Sequence, residues 1–79
     1  MARHEINFAD SNGVWYTPDV FYGNKVGALE YVNERLHNKE NKFYKCWVYN
    51  PDDSLIGYFT RGKKIEKLIK KIKDKSNGK

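Results

Sequence analysis

Residues 43–60 read FYKCWVYNPDDSLIGYFT. Phe43–Tyr49 is rich in aromatic residues and free of Gly and Pro, the composition of a strand. Asn50-Pro51-Asp52-Asp53-Ser54 is turn chemistry, since proline presets φ and the Asn and Asp side chains close local hydrogen bonds. Leu55–Thr60 pairs back as a second strand, and Gly62 breaks it. Alternation puts Phe43, Lys45, Trp47 and Tyr49 on one face of the first arm and Tyr44, Cys46 and Val48 on the other. Both faces are apolar enough to meet a core, so the hairpin alone leaves open which one does.

The flanking segments supply what covers it. After Gly62, Ile65, Leu68, Ile69 and Ile72 recur at helical spacing as a single apolar stripe. The helix this predicts over residues 63–75 must bury that stripe on the sheet or on another helix. Upstream, Asn24 is placed to cap a helix running to about Asn38, with Ala28, Leu29, Val32 and Leu36 on its apolar face and Glu30 and Glu34 on the other side. Gly27 costs that helix about 1 kcal/mol relative to Ala, which a close approach to the sheet would explain. Nearer the N-terminus, His4–Phe8 reads as a strand, Asp10-Ser11-Asn12-Gly13 as a hairpin turn and Val14–Thr17 as the returning strand. Thr17-Pro18-Asp19 opens either a short helical turn or a plain turn, and Gly23 stops either.

The element order is therefore ββαββα. The expected fold class is α+β, a mostly antiparallel sheet with two helices packed on one face. Residues 1–75 are read as a single small domain and residues 76–79 as a frayed C-terminal tail. The two ββα halves agree in element order, without a residue-by-residue repeat.

A chain of 79 residues buries only about 60% of its unfolded surface, so most of its large apolar residues must enter the core. Aromatic residues are 15% of the chain, and each can bury about 150–250 Å², which offsets a modest aliphatic content. The one cysteine, Cys46, excludes an internal disulfide and a Cys-rich zinc site. No run approaches the ~20 apolar residues of a membrane span, and the first residues lack a signal-peptide stretch. A cytoplasmic location is the expectation.

Charge is distributed unevenly. Residues 61–79 hold nine Lys/Arg and two acids, a net of +7, whereas residues 1–60 hold six and eight, a net of −2. Arg61, Lys63, Lys64, Lys67, Lys70 and Lys71 are the candidate contacts to nucleic-acid phosphates. Lysines along a helix neutralise phosphates and release counterions without reading bases. With twelve Lys and only three Arg, bidentate guanine recognition is poorly provided. The first functional expectation is thus a non-catalytic nucleic-acid-binding accessory protein of low sequence specificity. The lysines equally suit an acidic protein surface or an ordinary solvated face. A membrane surface is disfavoured, because the apolar stripe lacks Trp and Phe and the core requires it.

Trp15, Tyr16, Trp47, Tyr49 and Tyr58 form the candidate aromatic interface. With helices on one side of the sheet, some rings must lie on the open side. There they can stack bases beside lysines, anchor a protein partner, or close the edges of a small core. The second expectation follows: a protein-interaction module or inhibitor, of the kind exemplified by phage early proteins that act on host enzymes. Pairing of an exposed edge or face with a second copy is the third. The helix, hairpin and final RGKKIEKL segment are loosely similar to a double-stranded-RNA-binding domain, though that family has three strands between its helices where two are expected here. IGYFTRGKK does not match the RNA-recognition consensus, in which the basic residue and glycine precede the aromatics.

No catalytic, cofactor or metal site is expected. His4 and His37 are far apart in sequence, and His37 suits a helix C-terminus electrostatically. Cys46 in mid-strand reads as a small core residue rather than a nucleophile. Asp52 and Asp53 belong to a turn, with no third ligand for a metal. The glycines form no phosphate-binding loop.

Overall fold

The computed structural model describes residues 2–62 and 65–77. Its elements are β1 (Arg3–Ala9), β2 (Asp19–Tyr22), α1 (Lys25–His37), β3 (Lys45–Tyr49), β4 (Leu55–Thr60) and α2 (Ile65–Asn77). The strands form one antiparallel sheet in the order β2-β1-β3-β4. The ββαββα α+β fold expected from the sequence is the fold observed. Each hairpin supplies one central and one edge strand, so exchanging the two ββα halves leaves the strand order unchanged.

Strand alternation and register decide where the core sits. Ile6 and Phe8 of β1 lie opposite Val48 and Cys46 of β3, and all four are buried. Leu29, Val32 and Leu36 of α1 join them in one cluster with Phe59 of β4 and with Ile65 and Ile69 of α2. The α2 stripe packs mainly against α1, so the neighbouring helix provides most of its docking surface. Asn24 caps α1 as expected, its side-chain oxygen accepting the Gly27 N–H at 2.7 Å. A Cβ on Gly27 would lie 3.0 Å from the Phe21 ring. Helix and sheet approach there as closely as the glycine predicts.

The first hairpin departs from expectation in its second arm. The turn forms: the Asp10 carboxylate accepts the N–H groups of Asn12 and Val14, both at 2.9 Å, and Gly13 takes φ +85. Val14–Thr17, however, contributes only the bridge between Ala9 and Trp15, flanked by bonds from Asp10 N–H to Val14 O and from Tyr16 N–H to Phe8 O, both at 3.0 Å. Regular pairing resumes at Asp19, opposite Ile6. From Ala9 back to Ile6 is three steps, and from Trp15 to Asp19 is four. Tyr16–Pro18 absorbs the extra residue as a bulge would, and Pro18 has no N–H for the ladder. Thr17-Pro18-Asp19 forms no helical turn.

Smaller differences lie at element ends. β3 begins at Lys45, and Phe43 stacks on the core residue Phe8 at 4.2 Å with an interplanar angle of 13°. Phe43 therefore serves the core and does not share a face with Trp47. Helix α2 runs to Asn77, so Ser76 and Asn77, read as part of the tail, are helical. Gly78 and Lys79 lie outside the described residues. Among the described residues no helix is long and apolar enough to cross a membrane.

Candidate interaction surface

Because Ile6 and Phe8 face the helices, Arg3, Glu5, Asn7 and Ala9 face the other way. Register places the open-face neighbours. Tyr22 lies beside Arg3, Val20 beside Glu5, Trp47 beside Asn7, and Lys45 beside Ala9. On β4, Leu55, Tyr58 and Thr60 sit opposite Tyr49, Trp47 and Lys45. Trp15 joins this face by bridging to Ala9.

Three rings cross the face. The Trp15 and Trp47 rings lie 4.8 Å apart, and the Trp47 and Tyr58 rings 4.4 Å apart, each pair tilted by 46°. Trp15, held at an isolated bridge to β1, and Trp47 on β3 flank β1 and so lie roughly 10 Å apart at the backbone. They meet because the intervening Asn7 and Ala9 are short. Trp15 is 53% exposed and Tyr58 39%. At one end of the face, Lys45 Nζ sits 6.0 Å from the Trp47 ring centroid, the outer limit of a cation–π contact. At the other end, Glu5, Asn7, Tyr49 and Asp53 line a shallow depression. Asp53 reaches it from the β3–β4 turn with φ +71, a left-handed conformation that Asp tolerates better than most residues. In the same turn, hydrogen bonds from the Ser54 hydroxyl and amide hold the Asp52 carboxyl below the usual carboxylate range.

Of the five aromatic residues read from the sequence, the structure thus brings Trp15, Trp47 and Tyr58 into ring contact and puts Tyr49 in the neighbouring row. Tyr16 belongs elsewhere: its ring packs edge-on against Phe43 at 5.0 Å. Alternation along one strand already put Lys45 on the face of Trp47, but Glu5 and Asp53 were not legible as site residues. Their assignment needs the strand register, and a sequence prints no register.

The basic candidates fare differently. Arg61 is a structural clamp. Its Nε–H donates to Leu36 O at 2.9 Å, and Nη2 donates to Asn41 O at 2.9 Å and Asn38 O at 3.3 Å. These are carbonyls at and just beyond the C-terminus of α1, which a helix leaves unsatisfied. Three of the five guanidinium donors are thereby taken, a role at odds with a free phosphate contact. Next to it, His37 Nδ1–H donates to Asn33 O at 2.9 Å while Nε2 accepts Gly62 N–H at 3.1 Å. Both ring nitrogens serve the junction between α1 and the segment leading to α2.

Lys63 and Lys64 lie outside the described residues. Lys67, Lys70 and Lys71 are exposed on α2. Lys70 and Lys73 line the groove between the helices with Glu30, Glu34, Glu66 and Asp74, and Lys73 pairs with Glu30 at 3.3 Å. Acids thus offset the charge on that side of α2, and Lys67 and Lys71 are the described lysines of the candidate set that stay out of the groove. Helix α2 and the aromatic row also lie on opposite faces of the sheet. The lysines and the stacked rings form two separate surfaces.

Among the described residues no group of three His, Cys, Asp or Glu is arranged to hold a metal ion. Cys46 is fully buried in β3, and burial pushes its thiol up to about 12. His4 is buried, and its Nδ1–H donates to Tyr49 O at 3.0 Å. On the core side of β2, Tyr31 O–H donates to Asp19 at 2.5 Å and Arg35 lies 4.8 Å over the Tyr31 ring, tying α1 to the sheet edge. Comparison with protein-family models, with curated proteins and with solved structures finds no match.

Proposed function

We propose that the protein is a non-catalytic protein-interaction module that docks through the open face of its sheet. The observation that supports this reading is the ring row Trp15–Trp47–Tyr58, with Trp15 and Tyr58 exposed and Trp47 half-buried between them. Rings held rigidly by each other present large contact area at little entropic cost, and Trp and Tyr dominate binding energy at protein interfaces. Two features favour a protein over bases on this face. The rings tilt against one another rather than offering parallel platforms, and the Glu5 and Asp53 carboxylates offset Arg3 and Lys45 on this face, which leaves it no net charge to attract phosphate. The test is capture of a partner by the wild-type protein and by a Trp15→Ala/Tyr58→Ala variant, with circular dichroism as the control for folding. A partner retained by wild type and lost by the folded variant supports the reading. Capture that is indifferent to both substitutions overturns it.

One observation favours a second reading, nucleic-acid binding by α2: Lys67 and Lys71 are exposed one turn apart, outside the acidic groove. Binding to labelled single- and double-stranded DNA and RNA across a salt series tests it. Affinity that falls with salt and disappears in Lys67→Gln/Lys71→Gln supports this reading. Absence of binding near physiological salt removes it.

A further inference from the structure

We propose that the partner of the open face is a second copy of this chain, an inference that rests on reading that face as a protein-binding surface. The argument is self-complementarity. The open-face side chains form four rows across the strands: Tyr22 and Arg3, level with the β3–β4 turn that carries Asp53; Val20, Glu5, Tyr49 and Leu55; Asn7, Trp47 and Tyr58; and Trp15, Ala9, Lys45 and Thr60. The β3–β4 end carries the acidic depression, and the opposite end carries Lys45 over Trp47.

Consider two such faces stacked about a two-fold axis that lies between them and runs across the strands. Each strand then faces its own copy, and the order of rows is reversed. Lys45 of one protomer comes over Asp53 of its partner, and Trp15 over Tyr22. Trp47 and Tyr58 come over Tyr49 and Leu55. Each of these pairs occurs twice, as an isologous contact requires. An axis along the strands instead pairs Asp53 with Arg3 but sets Lys45 against Ala9 and Trp47 against Asn7, so Lys45 and the central ring lose their complementary partners. Stacked antiparallel sheets at about 10 Å separation are an ordinary architecture.

The size of the face sets the strength. Four strands about 4.8 Å apart and rows about 6.8 Å apart give a face roughly 20 Å square. Two such faces, with their side-chain relief, come close to the roughly 1,000 Å² at which specific interfaces begin. The expected dimer is weak and reversible, and it exposes its α2 lysines on both outer sides.

Sedimentation velocity over a roughly hundredfold concentration range, up to about 1 mM, reads the association directly. Wild type is expected to shift from monomer to dimer. Lys45→Glu and Asp53→Lys each place like charges across the interface and should each raise the dissociation constant by roughly tenfold. The two single variants mixed together should regain dimerisation, because each supplies the charge that the other lost. That rescue is specific to a Lys45–Asp53 contact between protomers. Thermal melts confirm that each variant folds. Should Asp53→Lys not fold, Tyr22→Glu, at a residue 60% exposed, is expected to abolish dimerisation in its place. A wild type that stays monomeric throughout overturns the second-copy proposal, as does a dimer indifferent to these substitutions. The broader protein-binding reading is judged separately, by the Trp15→Ala/Tyr58→Ala capture experiment.

Discussion

Replacing Arg61 distinguishes a clamp from a phosphate contact. Its Nε–H bond to Leu36 O is partly shielded from water. A hydrogen bond from a charged group contributes about 1.5–3 kcal/mol, and the lower end applies because water can reach the freed carbonyl. The two Nη2 bonds, to Asn38 O and Asn41 O, are exposed and after solvent screening add about 0.5 kcal/mol together. Arg61→Ala is therefore expected to destabilise the fold by about 2 kcal/mol. In urea, with a slope of about 1 kcal/mol per molar for so small a domain, the midpoint should fall by about 2 M. The melting temperature should fall by on the order of 10 °C. Arg61→Lys keeps the charge but cannot fork to three carbonyls, and it should lose more than half as much. An Arg61→Lys variant as stable as wild type would show that charge alone matters at this position and would refute the clamp. An Arg61→Ala variant with an unchanged midpoint would refute it equally.

Three further outcomes follow from the packing. Cys46, buried and with its thiol pushed up to about 12, should react with thiol reagents only through unfolding, so its labelling rate should track urea stability; rapid native labelling would contradict its burial. Tyr31 has its pKa raised above 10.0, first by burial and then by its hydrogen bond to Asp19. The folded state then holds that proton more tightly than the unfolded chain, so this contribution is complete below about pH 10 and is lost as pH rises through the folded value. Tyr31→Phe should flatten the alkaline loss of stability, as measured by melts across pH. Asn24→Ala removes the α1 cap and should cost about 1 kcal/mol by urea denaturation, whereas Asn24→Asp should cost little.

The element order, the α1 cap at Asn24, the apolar stripes of both helices and the close approach at Gly27 were all legible in the sequence. These features are local. Periodicity, capping and turn chemistry act over a few residues, and the residues that carry them sit next to one another in the chain. The early end of strand pairing at Val14–Thr17 was less legible. It comes from one extra residue measured against β1, and an offset between strands exists only once they pair.

Function-bearing features depended still more on the tertiary structure. Composition identified Trp15, Trp47 and Tyr58 as candidates, yet their meeting requires β1 to lie between the Trp15 bridge and β3, with short side chains at Asn7 and Ala9. The sequence likewise grouped Arg61 with the lysines by charge. Only the return of β4 beside the C-terminus of α1 shows the guanidinium spent on backbone carbonyls. Charge and hydrophobicity are properties of residues and can be read along the chain. Which groups face one another is set by the register and stacking of elements distant in sequence, and that the tertiary structure alone decides.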